Sequence, residues 1–591
     1  MQWSPSRAHE LLQDERRDAN SPNPHPTPAA RADVSLRARR LGAAFAVTAV
    51  AALAAPLGAS AASTYTEHVA TLARQGIAHA VKAGWVKAAD AKRYRADVYL
   101  ALRGIRFLPK LRGQALAVQL DEMSTLWDSY TAPRALALFS QLQENVSYLT
   151  THRLPTTETD VEGSDGVVYR YFPGKGLEFH PLANFARLNG LVASKDAAGT
   201  QQLADALVAR AIPRGNRLLW EYAFGYGRGR PPWSSGMAQA VAAQSLARAG
   251  VLLADDALLT AARKAYASVP PLTFDVSTGP WIRLYGFDRE IVLNAQLQTA
   301  LSLRAYGGVA GDPSATALAD RMTAAARGLF WRFDTGDWSR YELGGGYAKR
   351  GYQIFVTTLL GKLASVTQDP FWQDAAARFT NYTYEPPQVT QPDPPPALVA
   401  YPQPLDGWLD SVSIPLTLSK RASVTLVVAG KVFTWSQLAR GDHTLTWKPG
   451  PDVAPGTYPV TVRAVDFGGN KSTTRLAPVT VAWDTAPPPL EAQVDTATNT
   501  LTWQANDPGT PWLELKLELT DPTGAQAQQI VDLGQQPTSG TLQLSIPPGT
   551  WYSAIDATNS AGQTTKVLLP ALSGAAAPSP SSSPQGGSTG G

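Results

Sequence analysis

The chain has 591 residues, which is too long for one compact domain, and 44% of them are apolar, so it can build several hydrophobic cores. Its 52 basic and 48 acidic side chains leave a formal net charge of +4 with no long run of Lys and Arg, which argues against a nucleic-acid-binding protein. The absence of cysteine excludes disulfide frameworks and thiolate zinc sites, and with only seven histidines we expect no metal and no cofactor.

The first 62 residues are predicted to be a disordered leader followed by a signal peptide or a membrane anchor. Three arginines between residues 37 and 40 precede an apolar run of Ala, Leu and Val at 41–55, and small residues at 59–61 fit a cleavage site. The run is shorter than the roughly 20 strongly apolar residues of a membrane span. We therefore expect the protein to be secreted or held at the cell surface, with an uncleaved anchor to the membrane or cell envelope as the alternative.

Apolar residues then recur at helical spacing. Residues 63–150 are predicted to be an N-terminal helical region, and residues 151–385 the main domain, with a strand at 167–172. Its helices are predicted at 181–194, 198–211, 236–250, 255–267, 291–306, 315–329 and 350–365. The loops between them are rich in Trp, Tyr, Arg and Gly. Helix pairs with functional loops on one side are typical of an α/α-toroid, which is the fold class predicted for this domain.

The composition changes beyond the helical domain. Residues 386–399 are Pro-rich and are predicted to be a stiff, extended linker. Short alternating runs of Val, Thr and Leu follow, as at 423–428, with turn signals about every ten residues. This pattern predicts two all-β immunoglobulin-like sandwich modules at 400–485 and 486–571, the second also fibronectin-like, and a disordered Ser/Pro/Gly-rich tail at 572–591.

The segment 214–233 concentrates aromatic side chains, arginines and glycines. Flat aromatic faces stack on sugar rings, and guanidinium groups bind carboxylates through two hydrogen bonds. The competing interpretation is an ordinary loop whose aromatic residues anchor it to the core. The residues selected here as candidates for substrate binding are Trp220, Tyr222, Arg228, Arg230 and Trp233.

The segment from Pro232 to Ala249 opens the next helix with Pro-Trp-Ser-Ser-Gly-Met-Ala-Gln. Ser234 or Ser235 can cap this helix, and Gln239 is placed to close back on its first turn. A helix start beneath a groove can also receive an anionic group. Ser234 and Gln239 therefore join the candidates for substrate binding.

This stretch resembles the C-terminal domain of the D-glucuronyl C5-epimerases, which carry Pro-Trp-x-Ser-x-Met-Ala-Gln-Gly before a helix ending in Leu-x-Arg-Ala. Here Ala240 stands in place of the final Gly. Weaker similarities are Phe-His-Pro-Leu-Ala-Asn at 179–184, Ile-Val-Leu-Asn at 291–294, and Phe-Asp-Thr-Gly at 333–336 followed by Trp-Ser-Arg-Tyr-Glu-Leu. The resemblance extends over residues 170 to 384 or thereabouts.

The resemblance implies cofactor-free removal of the proton α to a uronate carboxylate and its return from the opposite face of the sugar. Members of the family use tyrosines and a glutamate for proton transfer. Tyr341 matches the tyrosine of the last element, Tyr352 matches a second and Tyr285 a third, so these three are the candidate catalytic residues. The remaining candidates for substrate binding are Asn294, Arg340 and Arg350.

Two further departures from the family lie near the candidate tyrosines. Arg283-Leu284 stand where an acidic pair precedes the family tyrosine, and Gln353 replaces a His. A groove that kept its sugar-binding loops but lost a base would bind without epimerising. The side chains that could substitute for the missing acid are Asp288, Glu290 and Glu342.

The leading hypothesis is therefore a uronate C5-epimerase-like isomerase that acts on an extracellular, uronate-containing anionic polysaccharide. The first alternative is a polysaccharide lyase, because a lyase begins with the same α-proton abstraction. The second is a non-catalytic glycan-binding surface protein.

Overall fold

The computed structural model describes residues 59–450 and 452–575. The described residues form two compact units, which divide between Tyr384 and Glu385. Within the described residues the first unit holds twelve α-helices with short β-hairpins, and the second is built of β-strands. The predicted leader lies outside the described residues as far as residue 58, including its signal peptide or anchor at 41–55, whereas its last four residues, 59–62, begin the first helix. None of the helices described is both long enough and apolar enough to span a membrane.

The first four helices pack around a core of their own. That core is formed largely by alanine, leucine and valine side chains, for example Ala73 and Ile77 from the first helix and Val98 and Ala101 from the second. A Thr131 side chain caps the fourth helix by accepting a hydrogen bond from the Arg134 N–H. The helices are α1 (Ala59–Lys82), α2 (Ala88–Phe107), α3 (Lys110–Leu126) and α4 (Ala132–Thr151).

Four helix hairpins follow, and all are built alike. The first helices of the hairpins, which we call the row helices, pack side by side in chain order, and each is covered by the second helix of its hairpin, the flanking helix. The row helices are α5 (Pro181–Ala193), α7 (Gly236–Leu253), α9 (Leu293–Ala310) and α11 (Arg350–Thr367). The flanking helices are α6 (Ala197–Val208), α8 (Asp256–Tyr266), α10 (Pro313–Leu329) and α12 (Pro370–Tyr384). The seven helices predicted between residues 181 and 365 are confirmed, and α12 is an addition to them.

An aspartate precedes every flanking helix. Its carboxylate accepts a hydrogen bond from a backbone N–H of the first turn, which satisfies groups that a helix end leaves unpaired. These residues are Asp196, Asp255, Asp312 and Asp369, at successive separations of 59, 57 and 57 residues. The chain therefore contains an internal repeat, which the sequence analysis above did not identify.

The fourth residue of every row helix is a buried amide, and we call these four residues the amide clamps. Gln239 accepts a hydrogen bond from the N–H of Trp220 (3.2 Å) and donates one to its carbonyl (3.1 Å). Asn184 does the same with Val168, at 2.8 and 2.7 Å. The full set is Asn184, Gln239, Gln296 and Gln353. Each clamp fixes the segment that precedes its row helix.

Short antiparallel hairpins precede the row helices and carry the polar side chains described below. A three-stranded sheet precedes α5, and two-stranded hairpins precede α7 and α9. Their strands are β1 (Asp160–Glu162), β2 (Val168–Phe172), β3 (Gly176–Phe179), β4 (Ile212–Arg214), β5 (Arg217–Leu219), β6 (Glu221–Tyr222), β7 (Trp233–Ser234), β8 (Thr273–Val276) and β9 (Gly279–Ile282).

The second unit contains two modules, each with two sheets that share one core. In the first, β10 (Val389–Thr390), β12 (Val412–Leu418) and β15 (Gly441–Trp447) face β11 (Leu398–Ala400), β17 (Lys471–Val481), β16 (Gly456–Asp466), β13 (Ala422–Val428) and β14 (Lys431–Leu438). In the second, β18 (Leu490–Asp495), β19 (Thr500–Ala505) and β22 (Ser539–Gln543) face β21 (Gln529–Gln536), β20 (Leu513–Thr520), β23 (Gly549–Thr558) and β24 (Thr564–Gly574).

Two predicted boundaries of this unit need correction. The segment 386–399 is not only a linker, because it supplies β10, which pairs antiparallel with β12, and most of β11, which pairs parallel with β17. The tail predicted from residue 572 begins later, because β24 continues to Gly574 and Leu572 is buried in the core.

Candidate functional site

Four tyrosines from four separate segments meet in the helical unit, and we call them the tyrosine cluster. The hydroxyl of Tyr285 hydrogen-bonds with those of Tyr226 and Tyr341, and the hydroxyl of Tyr341 hydrogen-bonds with that of Tyr352. The ring centroids of Tyr226 and Tyr285 are 5.1 Å apart, and those of Tyr341 and Tyr352 are 4.7 Å apart. The structure thus brings the three sequence-predicted catalytic tyrosines together and adds Tyr226.

Close backbone contacts position Tyr285. The N–H of Gly286 donates to the carbonyl of Ser234 (2.7 Å), and the N–H of Gly236 donates to the carbonyl of Arg283 (2.9 Å). A Cβ atom on Gly286 would lie 2.7 Å from that same Ser234 oxygen. Glycine is therefore needed for the Tyr285 segment to lie against the entry to α7.

Tyr341 lies in a loop that is tied down on two sides. The N–H of Leu343 donates to the carbonyl of Ile291 (2.9 Å), and the indole N–H of Trp338 donates to the carbonyl of Ala348 (2.7 Å). The Ser339 hydroxyl donates to the amide clamp Gln353 at 2.5 Å. These hydrogen bonds hold the loop, and with it Tyr341, in place.

Tyr352 occupies a position that holds a small residue in the other three row helices. It is the third residue of α11, immediately before the amide clamp, and the matching residues of the other row helices are Ala183, Ala238 and Ala295. A tyrosine is therefore present in one repeat only, and its ring extends to the tyrosine cluster.

The environments of the three candidate catalytic tyrosines set the order in which they ionise. Burial raises the pKa of Tyr285 and of Tyr341 well above the ordinary value. Burial and the charge of Glu158 raise the pKa of Tyr352 to about 12, while Arg170 and the hydrogen bond with Tyr341 act in the opposite direction. Tyr352, which is 38% exposed, is therefore the one of the three that loses its proton most readily.

Two charged residues that the sequence reasoning missed act electrostatically on Tyr352. Arg170 in β2 donates to both carboxylate oxygens of Asp160, at 2.7 and 2.9 Å. Glu158 is exposed, and its backbone has a φ of 61°, fixed by an N–H bond to the carbonyl of Tyr171 (2.8 Å). No sequence pattern marks either residue, because the first unit brings them to α11 from almost 200 positions earlier.

The three acidic residues suggested as substitutes lie close to one another. Asp288 is buried and accepts a hydrogen bond from Nε of Arg228 (2.8 Å). Burial, then the negative charges of Glu342 and Asp288, raises the pKa of Glu290. Burial and Asp288 likewise raise the pKa of Glu342. Glu290 is also within electrostatic range of Tyr341.

Several candidates for sugar stacking are instead part of the interior. Trp220 is fully buried and donates its indole N–H to the carbonyl of Leu207 (2.7 Å), so it has no surface to offer a sugar. Tyr222 and Trp233 stack on each other at 4.1 Å and are buried as well. Gln239 does not close back on its own helix but clamps Trp220. The aromatic residues of this segment build a core. A core and a sugar-binding surface would have the same composition here.

The remaining candidates occupy varied places. Ser235 rather than Ser234 caps α7, by accepting from the Ala238 N–H (3.3 Å). Arg230 is exposed, and Arg340 donates to the carbonyl of Gly345 (2.8 Å). Asn294 is buried, and its Oδ1 has no hydrogen-bond partner in the described part of the chain; Arg350 is half-buried at the start of α11.

No group of three or more His, Asp and Glu side chains among the described residues could hold a metal ion.

Comparison with known proteins agrees with the family resemblance. Residues 214–381 match the family described as D-glucuronyl C5-epimerase C-terminus, which confirms the resemblance for that part of the chain. No curated protein matches the chain.

Solved structures resemble parts of the chain at low sequence identity. They include fibronectin(III)-like modules of Clostridium thermocellum CbhA (13% identity, 32% of this chain, 94% of that chain, TM-score 0.16). Others are an endoglucanase from Komagataeibacter sucrofermentans (12%, 34%, 72%, TM-score 0.26) and an endo-β-1,4-glucanase from Acetobacter xylinum (14%, 36%, 72%, TM-score 0.28). Each likeness spans about a third of this chain, and none bears on its function.

Proposed function

We propose that the helical unit is a uronate C5-epimerase that acts on an anionic polysaccharide. The observation that carries the proposal is the chain of tyrosine hydroxyls that ends at the partly exposed Tyr352, with Arg170 and Glu158 beside it. The family match over residues 214–381 supports the same reaction class.

In the proposed reaction, Glu158 removes the proton from C5 and Tyr352 returns one from the other side. The C5–H bond breaks, and its electron pair is delocalised into the substrate carboxylate, which Arg170 stabilises. A Tyr352 with a pKa of about 12 is protonated at neutral pH and can therefore donate. Its proton is then replaced through Tyr341 and Tyr285. When the C5 epimer of this sugar is the substrate, the two residues exchange roles.

The family's missing histidine does not weaken the proposal. Gln353 stands at that position, is fully buried, and bonds Ser339 and Thr383 rather than reaching an open surface. The side chain at this position therefore supports the Tyr341 loop. Arg228 and Arg230 are exposed near the tyrosine cluster, and we propose that they bind further uronate groups of the polymer.

The proposal also extends to the rest of the chain. We infer that the row and flanking helices form an α/α-toroid-type domain, and that the two β modules are immunoglobulin-like spacers. The apolar run at 41–55 supports export to the cell surface or beyond.

The test is solvent exchange at C5. The full chain is incubated in deuterated water with a panel of uronate polysaccharides, and deuterium at C5 is measured by NMR. We expect incorporation without chain cleavage on at least one polymer. An unsaturated uronate product would indicate a lyase instead, and binding without any exchange would indicate a glycan-binding protein.

Tyr352→Phe and Tyr341→Phe are the informative variants. Loss of a general acid costs about 10²- to 10⁴-fold in rate, so exchange is expected to fall by that order while polymer binding persists. Tyr384→Phe, which changes an exposed tyrosine at the end of α12, is the matched control and should exchange like the wild type. Full activity of Tyr352→Phe would remove its catalytic role.

A further inference from the structure

The outer face of α2 combines exposed apolar and basic side chains in one continuous stripe. Leu100 and Phe107 are exposed, Phe107 by 68%, and Leu111 at the start of α3 continues the apolar surface. The basic side chains beside them are all exposed: Lys92, Arg95, Arg103, Arg106 and Lys110. None of these five forms an ion pair with any described residue, in contrast to Arg93, which pairs with Asp90 at 3.3 Å.

This stripe is larger than an ordinary scatter of surface apolar residues. Single exposed leucines are normal, but a clustered apolar patch with a charged margin indicates an interaction surface. The positive charge requires an anionic partner. Long Lys and Arg side chains can lay their stems along an apolar layer while their charged ends remain in water.

The position of the stripe in the fold indicates which anionic partner it meets. Only five residues separate α1 from α2, and they span at most about 18 Å, about half the ~36 Å length of α1. Because the two helices pack along each other, they must be antiparallel. The end of α2 that carries Arg103, Arg106 and Phe107 therefore lies beside the start of α1, directly after the apolar run at 41–55.

We propose that this α2 stripe docks on an anionic phospholipid surface. Leu100, Phe107 and Leu111 would enter the boundary between headgroups and acyl chains, and the basic residues would meet the lipid phosphates. Leu100 and Leu111 have neither hydrogen-bonding groups nor flat faces for sugars, so a lipid surface fits this part of the stripe better than a polysaccharide does. The inference does not depend on the proposed epimerase activity.

The absence of cysteine from the chain makes a local test available. An environment-sensitive fluorophore is attached to full-length Phe107→Cys, and the matched control carries it at Val251→Cys on α7, which is 61% exposed. Both are mixed with vesicles of phosphatidylcholine alone or with phosphatidylglycerol. We expect a blue shift at position 107 only, with anionic vesicles only, that disappears at high salt.

Charge removal supplies the second measurement. Each basic residue near an anionic membrane contributes about 1 kcal/mol, so Arg103→Gln and Arg106→Gln together should weaken vesicle binding of the labelled chain by about 25-fold. Vesicle sedimentation without a change at position 107 would overturn the proposal, because another segment would then hold the chain. A response at position 107 to soluble polyuronate but not to vesicles would also overturn it.

Discussion

Glu158 combines backbone strain with a place beside Tyr352. Left-handed backbone is costly for a residue with a side chain, on the order of 1 kcal/mol, and such residues are concentrated at functional sites. The N–H bond to Tyr171 holds the strained conformation. A glycine would adopt the same backbone without this cost.

Glu158→Gly is therefore expected to be no less stable than the wild type while losing C5 exchange. Glu158→Gln keeps the strain and the size of the side chain but removes the base, so it should lose exchange at nearly unchanged stability. Urea unfolding and the deuterium assay would measure the two properties separately. Retained exchange in Glu158→Gln would rule the carboxylate out as the base.

Two further acidic residues are buried outside the tyrosine cluster. Glu122 in α3 and Glu178 in β3 hydrogen-bond with each other and share Gln141 as a donor, at 3.1 and 2.8 Å. Burial and mutual repulsion raise the pKa of Glu122 well above the ordinary value, and burial raises that of Glu178 to about 8. The folded pair therefore keeps a proton that the unfolded chain would release.

Stability should consequently fall as pH rises from about 4.5 to about 8, since the unfolded state binds fewer protons over that window. Glu122→Gln keeps a hydrogen-bond donor without a titrating group. We expect its stability relative to the wild type to increase as pH rises across this window, measured by urea unfolding at a series of pH values. A difference that stays constant with pH would contradict the shared proton.

At the scale of elements, the amide clamps explain why the row helices begin alike. In three of the four, the amide bonds both a backbone N–H and a carbonyl of the preceding segment, which would otherwise be buried without partners, whereas Gln353 bonds the side chains of Ser339 and Thr383. The Met-Ala-Gln stretch that carries the family resemblance is one such clamp. Its most direct role in this fold is structural.

Gln239→Leu should therefore destabilise the helical unit by about 2–4 kcal/mol, because it leaves the N–H and carbonyl of Trp220 unpaired in the interior. Gln298→Leu is a suitable control, because Gln298 lies on α9 and its amide bonds only to Ser302 (2.9 Å) in the described structure. Thermal unfolding would compare the two. Equal effects of the two substitutions would contradict the special role of the clamp.

The helices could be predicted from sequence because apolar spacing is a local signal, and the three candidate tyrosines because they lie in recognisable stretches. The burial of Trp220 and Tyr222 could not be predicted, since their segment would have the same composition in a core as in a sugar-binding groove. Glu158 and Arg170 were missed because only the folded chain brings them to Tyr352. The regular spacing of the four aspartates is present in the sequence, but the residues between them differ so much that the repeat is not evident from sequence similarity.

At the scale of the whole molecule, the cores of the two units draw on separate stretches of chain. The clusters of buried residues in the helical unit end at Phe379, and those of the β unit begin at Val389. A chain that ends at Tyr384 is therefore expected to remain folded and to retain C5 exchange. Circular dichroism and the deuterium assay would test this, and loss of helical structure would show that the β unit is needed for folding.

The parallel pairing of β11 with β17 also has a mechanical consequence. β11 lies near the start of the first β module and β17 is its last strand, so tension applied through the chain pulls these two strands in opposite directions along their length. Their hydrogen bonds are then loaded in shear together instead of being unzipped one after another. We expect this module to resist stretching more strongly than its thermal stability alone would suggest.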